Sequence, residues 1–426
     1  MIEKVRLENY LIKYGCILLI VIGSYQVGLS QNLTLDSCIA MAEHNYPLIN
    51  QYGLLAESKE YTVENVGKGK LPRFIVAGQA SYQSAVTSLP GGAGPVLSKD
   101  QYKLYGEIIQ PLTDLVLIEK RRQLTELNNE IEEKSLDVEF YQVQQRVSEI
   151  YFSIILLDRQ LFQIAKALEN LRSGYEVLET GVKNGTVLKS SANTLNVEIL
   201  TLQQKAIEVD AARAGFLQML GRFIGKEVES ASQLKAPRIN SISNDISRPE
   251  LALFNAQIRS VQLQSSIVNT DNLPKFSLFF QGGVGRPALN FLSNDFQLYY
   301  IGGLRLSWNV SNLYTSKKQK DVFMLNENMI ENRKEIFLFN TQLSLDNQSN
   351  QIRKAEQLIE KDEEIIALRE SIRETANEQL KNGVIKANDF NEAVINESLA
   401  RQNLELHRVE LMQAKKQYQL TTGNFN

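Results

Sequence analysis

Apolar residues in the first half of the chain recur with the spacing of a coiled coil. From residue 140 to residue 182 they alternate steps of three and four: Phe140, Val143, Val147, Ile150, Ile154, Leu157, Leu161, Ile164, Leu168, Leu171, Tyr175, Leu178 and Val182. This period of 3.5 residues is the seam of a left-handed coiled coil. No proline occurs between Asp114, a good N-cap residue, and Gly185. The pattern therefore predicts one helix of roughly 100 Å at 1.5 Å per residue.

The second half of the chain carries a weaker form of the same pattern. Leu345, Ile352, Ile359 and Ile366 keep a seven-residue step, but Asp362 and Arg369 interrupt the alternate positions. Asn312 is the second predicted N-cap, and Gly383 follows the long run as Gly185 follows the first. Glycine can adopt the positive φ that a helical hairpin needs where it reverses, so both glycines are predicted turns.

Four shorter segments alternate apolar and polar residues with a period of two. They are about 74–86, 101–112, 276–285 and 296–310, with predicted hairpin loops at 87–100 and 286–295. Such segments are strands, either of a soluble sheet packed on one side or of a membrane barrel, and periodicity alone leaves both open. Aromatic residues near the strand ends resemble an interfacial belt and favour the membrane: Tyr82, Tyr102, Tyr300 and Trp308.

The same landmarks occur twice in the same order. Leu71-Pro72 returns as Leu273-Pro274, Lys183-Asn184-Gly185 returns as Lys381-Asn382-Gly383, and Leu220-Gly221 corresponds to Thr422-Gly423. A duplication follows, with a first repeat at 31–225, a linker at 226–247 and a second repeat at 248–426. Each repeat is predicted as a helix, two strands and two long helices. The long helices are expected at about 114–183 and 187–221, then at about 312–381 and 385–422.

The first 30 residues are predicted to be a secretory signal peptide. A basic region with Lys4, Arg6 and Lys13 precedes an apolar run at 16–22 and small residues up to Ser30, after which cleavage is expected. The run is about half the ~20 residues that a spanning helix needs. No later segment is apolar for 18 residues, so any membrane insertion must use the strands.

Composition excludes several classes of function. With 46 Lys and Arg against 49 Asp and Glu, the net charge of −3 argues against a cationic nucleic-acid binder. The only cysteines are Cys16 and Cys38, and the only histidines are His44 and His407. This excludes a disulfide scaffold and a four-thiolate zinc site. We therefore predict no catalytic, metal or cofactor-binding residue, and a protein that is not an enzyme.

Four strands cannot close a barrel, and an open edge in lipid leaves backbone groups unpaired, so several copies must share the sheet.

Several segments also resemble a known family: the opening from Leu33 to Pro47, Leu71-Pro72, Ile109-Gln110-Pro111-Leu112, Leu306-Ser307-Trp308-Asn309-Val310 and the paired Asn-Gly turns. Together they resemble the TolC-like outer-membrane factor family (outer membrane efflux proteins), over essentially the whole of 33–423.

The resemblance implies a mainly α fold with a membrane β-barrel portion. A homotrimer would carry a twelve-stranded barrel and an α-helical tunnel, with four strands and two coiled-coil hairpins per protomer. It further implies a cell outer-membrane location with a long periplasmic extension, in contact with outer-membrane lipid. The function implied is the exit duct of a tripartite efflux pump that passively conducts small molecules, working with a periplasmic adaptor and an inner-membrane transporter. A type I protein secretion duct and a non-channel periplasmic coiled-coil protein remain as alternatives.

In that family the hairpin tips form the periplasmic gate and contact the adaptor. The matching residues are Lys183, Asn184, Gly185, Lys381, Asn382 and Gly383, together with Asp389, which matches an aspartate that lines the constriction. The corresponding stretch of the first half, Leu188-Lys189-Ser190-Ser191, has no acid, so a double acidic ring is not expected. Helix capping alone would also explain these lysines and asparagines.

Overall fold

A computed structural model describes residues 33–86, 97–237, 239 and 243–424. The predicted signal peptide and most of the first predicted hairpin loop lie outside these residues. The described part contains seven α-helices and four strands: α1 Leu35–Asn45, α2 Ile49–Gly67, β1 Arg73–Tyr82, β2 Asp100–Pro111, α3 Asp114–Lys183, α4 Lys189–Ile224, α5 Pro249–Asp271, β3 Lys275–Arg286, β4 Gln297–Ser307, α6 Leu313–Lys381 and α7 Ala387–Thr422. None of these helices combines the length and apolar character needed to cross a bilayer.

The chain divides into two compact units. One unit consists of the described residues within 33–45, 144–239 and 351–416, and contains both helical turns that carry the predicted tips. The other consists of the described residues within 46–143, 243–350 and 417–424, and contains the sheet. The long helices α3 and α6 pass through both units.

The long helices confirm the predicted coiled-coil hairpins. Helix α3 has 70 residues and α6 has 69, and each is followed by a helix of 36. Every residue of the seam predicted in α3 is buried or half-buried. The 3.5-residue period therefore marks the side of the helix that packs against its neighbours.

A buried polar pair occupies the place where the seam of α6 is interrupted. Asp362 is only 7% exposed, and its Oδ2 lies 2.5 Å from Nδ1 of His407 on α7. Burial of a carboxylate is costly unless a partner compensates it. The interruption in the sequence is thus a specific contact between two helices, and His407 is a packing residue of this hairpin.

The four strands form one antiparallel sheet in the order β1-β2-β3-β4. Two strands are shorter than the segments predicted from the alternation. Strand β1 ends at Tyr82 and β4 ends at Ser307. Beyond β4 the chain turns into a 3₁₀ helix, Val310–Asn312, which leads into α6. Asn312 is the last residue of this 3₁₀ helix and directly precedes α6.

The structure corrects one landmark of the predicted repeat. Gly221 lies inside α4, and the residue that ends this helix is Gly225, with φ of 69°. Gly423 has φ of 82° directly after α7, so Gly225 is its counterpart. Asn45 reinforces the end of α4, because its Nδ2 donates to the carbonyls of Arg222 and Phe223, both at 3.1 Å.

The duplication is also inexact at the start of each repeat. The single helix predicted there in the first repeat is two helices, α1 and α2, which are separated around Pro47. Proline lacks a backbone N–H and disfavours a helical conformation in the residue before it. The second repeat has one continuous helix, α5, at this place.

Candidate functional site

Both predicted tips are built from the same backbone turn. After α3, the N–H of Thr186 donates to the carbonyl of Gly181 at 2.9 Å, and the N–H of Gly185 donates to that of Val182 at 3.1 Å. These two bonds define a Schellman motif, in which the residue after the helix takes a left-handed conformation. Gly185 has φ of 70°. A turn role for this glycine therefore follows from its backbone alone.

The tip after α6 repeats this geometry. The N–H of Val384 donates to the carbonyl of Gln379 at 2.8 Å, the N–H of Gly383 donates to that of Leu380 at 3.0 Å, and Gly383 has φ of 69°. In neither tip would a Cβ atom on the glycine meet another atom within 4 Å. Glycine is thus required by the dihedral angle and not by crowding.

The lysines and asparagines of the two tips are exposed, and the side chains of Lys183, Lys381 and Asn382 make local contacts. Lys183 pairs with Glu179 at 3.3 Å and Lys381 with Glu378 at 2.9 Å, each within its own helix. Nδ2 of Asn382 donates to the carbonyl of Glu378 at 2.8 Å, and so caps the end of α6. The Asn382 bond satisfies a carbonyl at the helix end, and the two ion pairs leave the lysine side chains exposed to solvent.

Asp389 also caps a helix. Its Oδ2 accepts the backbone N–H of Lys386 at 3.1 Å, the reciprocal bond of a capping box at the start of α7. The same position after Gly185 is Ser191, and α4 begins without a side-chain cap. The two tips therefore have the same backbone conformation but differ in charge where the second helix of each hairpin begins.

One apolar cluster holds the two tips together within their unit. It combines residues of α3, α4, α6 and α7: Ala167, Leu171, Leu178, Ala192, Leu195, Ile199, Ala376, Leu380, Ala387, Phe390, Ala393 and Val394. Phe390 is 1% exposed and lies against Gly174 of α3. The two hairpin ends are thus one packed body of four helices.

Ion pairs connect the two helices of the second hairpin near this cluster. Glu397 of α7 is 5% exposed and lies 2.7 Å from Nε of Arg373 on α6 and 2.7 Å from Nε of Arg401. Arg401 also contacts Glu370 at 3.1 Å. Burial disfavours the charge on Arg401, but the bonds to the two carboxylates outweigh it and raise its pKa. Arg401 and Glu397 are four positions apart on α7, but this spacing alone did not indicate the network, because its other members, Arg373 and Glu370, lie on the partner helix α6.

The sheet has one continuous apolar face. The pairing of the strands places Phe74 opposite Ile108, Ile108 opposite Phe280, and Phe280 opposite Gly302. Since side chains alternate between faces, these rows carry the predicted apolar positions on one side of all four strands. These positions are largely open to solvent, and Leu298 reaches 88% exposure. Within the described residues, nothing covers this face.

Three of the predicted interfacial aromatics lie at or near strand ends, but the register places Tyr300 opposite Gly282, in the interior of the sheet. Tyr82 ends β1, and Tyr102 lies near the start of β2, where Arg286 is 5.2 Å from its ring centroid. Tyr300 belongs to β4 and stacks on Phe280 with ring centroids 6.3 Å apart. Trp308 lies just beyond β4 and donates its Nε1–H to the carbonyl of Asn272 at 3.0 Å. All four rings are exposed.

The opposite face of the sheet is polar and mixed in charge. Nη2 of Arg305 on β4 lies 2.7 Å from Oε1 of Glu107 on β2. The guanidinium crosses β3 above the ring of Phe279, 4.6 Å from its centroid. This pair shows that charged side chains of non-adjacent strands meet on this face.

The described residues contain no group of three His, Cys, Asp or Glu side chains that could hold a metal ion. Cys38 is a free, buried thiol. Burial raises its pKa to about 11, against an opposing hydrogen bond from Ser37. A thiol in this state is a poor nucleophile and a poor metal ligand.

Comparisons with known proteins relate this arrangement to solved structures. No protein-family model matches the chain, and no curated protein matches it. The outer-membrane channel OprN superimposes with a TM-score of 0.68 at 12% identity, over 92% of this chain and 90% of that chain. CusC, described with its transmembrane channel formation, gives 0.70 at 12% identity over 92% of both chains.

The open state of the MtrE outer membrane channel of Neisseria gonorrhoeae gives a TM-score of 0.68 at 13% identity, over 92% of this chain and 89% of that chain. The similarity covers nearly all of each protein, so it concerns the whole architecture of helical hairpins and four strands. The chain therefore has the fold of the TolC-like outer-membrane factors, the family that its sequence resembles.

Proposed function

We propose that this chain is an outer-membrane exit duct of a tripartite efflux pump. As a homotrimer it would conduct small molecules passively from the periplasm to the exterior. The observation that carries the proposal is the exposed apolar face of the sheet, which runs across all four strands. A face of this kind is stable where lipid covers it, and its opposite face is polar, as the lining of a channel must be.

The edges of the sheet support assembly from identical chains. Strands β1 and β4 each pair on one side only within the described residues. Each unpaired backbone group in lipid costs several kcal/mol, so only a closed barrel is stable there. Joining β1 of one copy to β4 of the next removes both edges, and three copies give a twelve-stranded barrel.

The helical hairpins supply the remaining parts of the proposal. The two Schellman turns, with Gly185 and Gly383 at their centres, present exposed lysine and asparagine side chains. We assign them to the periplasmic gate and to the contact with a periplasmic adaptor. Asp389 would contribute an acid at the gate from the second tip only. An inner-membrane transporter would supply the energy, because the proposed duct conducts passively. The duct itself would use no cofactor, no nucleic acid and no catalytic residue.

Fractionation and oligomer analysis test the proposal. The full chain, expressed with its own N-terminus in a Gram-negative host, is expected in the outer-membrane fraction after washes with high salt and urea. In mild detergent it should run as a trimer that heat dissociates. Recovery as a soluble periplasmic monomer, or release from the membrane by the salt wash, would refute the proposal and favour a coiled-coil structural protein.

Type I protein secretion is the second candidate, because the same fold could serve either pump. Co-expression of the chain with candidate adaptors and transporters, in cells that lack their own exit duct, separates the two. Restored tolerance to toxic small molecules supports efflux. Secretion of a protein substrate without any gain in tolerance supports the alternative.

A further inference from the structure

The charges on the polar face of the sheet are not balanced. Register places five charged strand residues on this face: Arg73, Lys103, Glu107, Lys275 and Arg305. Glu107 is the only acid among them, and Arg305 neutralises it at 2.7 Å. Lys275 is balanced by Asp271 at 2.8 Å.

Two cations of this face remain without an acid. Among the ion pairs of the described residues, neither Arg73 nor Lys103 has a partner, and both side chains are exposed. The residues opposite them in the register are uncharged: Ile109 for Arg73, and Gln79 and Gly285 for Lys103. The adjoining loop segment 87–96 contains no acidic residue either. Each chain therefore contributes two uncompensated positive charges to this face.

The two cations lie at different levels of the sheet. Arg73 is the first residue of β1, and Lys103 pairs with a position near the end of that strand. In the homotrimer proposed above, three copies of each would form two rings inside the barrel. Rings of Lys or Arg select anions in pores. A water-filled bore with low-dielectric walls also strengthens the effect of such charges on passing ions.

We propose that the polar face of the sheet is an anion-selective lining, so that anionic solutes such as carboxylates, sulfonates or phosphates are the preferred cargo of the duct. This inference rests on the proposed function, because the face becomes a bore only when the barrel closes. It concerns the charges of the strands, which do not depend on whether the gate is open.

A reporter thiol on the polar face tests the charge directly. Gln79→Cys places a thiol opposite Lys103, and Ala80→Cys places one on the apolar face of the same strand. Outer membranes carrying each variant are treated with an anionic sulfonate or a cationic ammonium thiosulfonate reagent. The rates are normalised to those of a small free thiol. The unsubstituted chain gives the background, and its buried Cys38 is expected to stay unlabelled.

The expected result is a reaction of Gln79→Cys with the anionic reagent that is about fivefold faster than with the cationic one, a modest value for a charged cleft. Adding Lys103→Glu should reverse this preference, and Lys103→Gln or Arg73→Gln should reduce it. At 1 M salt the Debye length falls to about 3 Å, so the preference should shrink. Only variants that retain the heat-dissociable trimer are compared.

Two kinds of contrary outcome are distinguishable. If Ala80→Cys is protected from both reagents but Gln79→Cys reacts equally with both, or faster with the cation, the sheet is in lipid and the anion-selective lining is refuted. If Ala80→Cys reacts as fast as Gln79→Cys, or if Gln79→Cys reacts with neither reagent, the sheet does not line a membrane channel. The proposed function then fails, and the inference fails with it.

Discussion

The ring of Phe390 fills the space that a side chain on Gly174 would occupy. A Cβ atom at Gly174 would lie 2.3 Å from Cε1 of Phe390, well inside any allowed contact. Gly174 lies in the interior of α3, where glycine is unfavourable by about 1 kcal/mol relative to alanine. The contact explains why a glycine is present: it allows α3 and α7 to approach closely around the shared cluster of the two tips.

We predict that Gly174→Ala destabilises the protein by about 1–3 kcal/mol, because the added methyl group overpacks the cluster. Gly215→Ala is the matched control, since no atom lies within 4 Å of its Cβ position. That change should leave stability unchanged or raise it by up to about 1 kcal/mol. Thermal unfolding in detergent measures both. Phe390→Leu, which removes the clashing atom, should lessen the effect of Gly174→Ala, and equal effects of the two alanine variants would contradict the account.

A second prediction separates the effect of the left-handed backbone conformation at the tips from the effect of adding a side chain to their surface. Gly185→Val should strain the Schellman turn by roughly 1–2 kcal/mol, because a left-handed conformation is unfavourable for residues with a Cβ. Gly185→Asn also adds a side chain in open space, but asparagine tolerates this conformation. Limited proteolysis at the tip should therefore increase for the valine variant and stay near the level of the unsubstituted chain for the asparagine variant.

The same pair of variants at Gly383 tests the second tip. In the proposed duct, the valine variants should lose adaptor crosslinking while keeping the trimer. Retained crosslinking and export in Gly185→Val and Gly383→Val would remove the tips from the adaptor contact.

A third prediction concerns the polar pair within the second hairpin. His407→Leu should cost about 1–3 kcal/mol, because it leaves the buried carboxylate of Asp362 without its partner. Replacing both residues with leucine should recover much of this loss, since an apolar pair of similar size leaves nothing unpaired. Urea unfolding of the single and double variants gives the coupling energy.

The neighbouring pair Glu363 and Arg408 supplies the control for this cycle. It is exposed, with Nη2 3.0 Å from Oε1, and exposed pairs contribute at most about 1 kcal/mol. Glu363→Gln should therefore have a small effect. A loss as large as that of His407→Leu would show that burial is not what makes the Asp362 pair important.

A fourth prediction concerns the pH dependence of the stability of the folded state, through Glu119 near the start of α3. Glu119 accepts hydrogen bonds from Arg122 at 2.6 Å and from Lys70 at 2.9 Å. These bonds lower its pKa from 4.5 to about 2. A carboxylate with a lowered pKa stabilises the folded state above its ordinary pKa, and that stabilisation is lost as the pH falls from 4.5 towards 2.

Glu119→Gln should accordingly lower the melting temperature at neutral pH and flatten its decline in this acidic interval. Glu139→Gln removes an exposed carboxylate of the same helix that has no salt bridge among the described residues, and serves as the control. Parallel declines of melting temperature with pH in the unsubstituted chain and in Glu119→Gln would contradict the assignment.

The fold could be predicted from the sequence where a local period determines it. The step of three and four from Phe140 to Val182 identified the buried side of α3, and the alternation around Phe280 and Leu298 identified one face of the sheet. The order of these segments, repeated around Gly185 and Gly383, indicated a duplication, and the resemblance to a known family supplied the fold. Such patterns are local, because each position is related to the next few residues of one element.

Contacts between distant segments could not be predicted in this way. Nothing near Gly174 indicates Phe390, and the break at Asp362 gives no sign of His407, since each partner lies on another helix. The bond from the N–H of Lys386 to Asp389 is local, but the resemblance assigned Asp389 only to the gate, so this cap was not predicted. The roles of the tip residues in gating and adaptor contact remain predictions, because they depend on partners.

The pairing of β2 with β3 constrains how the protein can fold. Arg286 contacts Asp100 across this pair, and 186 positions separate them in the sequence. The hairpins β1–β2 and β3–β4 can each form soon after synthesis, but their junction must wait until the intervening helices have been made. Pairings of such high contact order form slowly. During that interval each hairpin carries bare edges prone to aggregation, so a holding chaperone should increase the yield of the assembled protein.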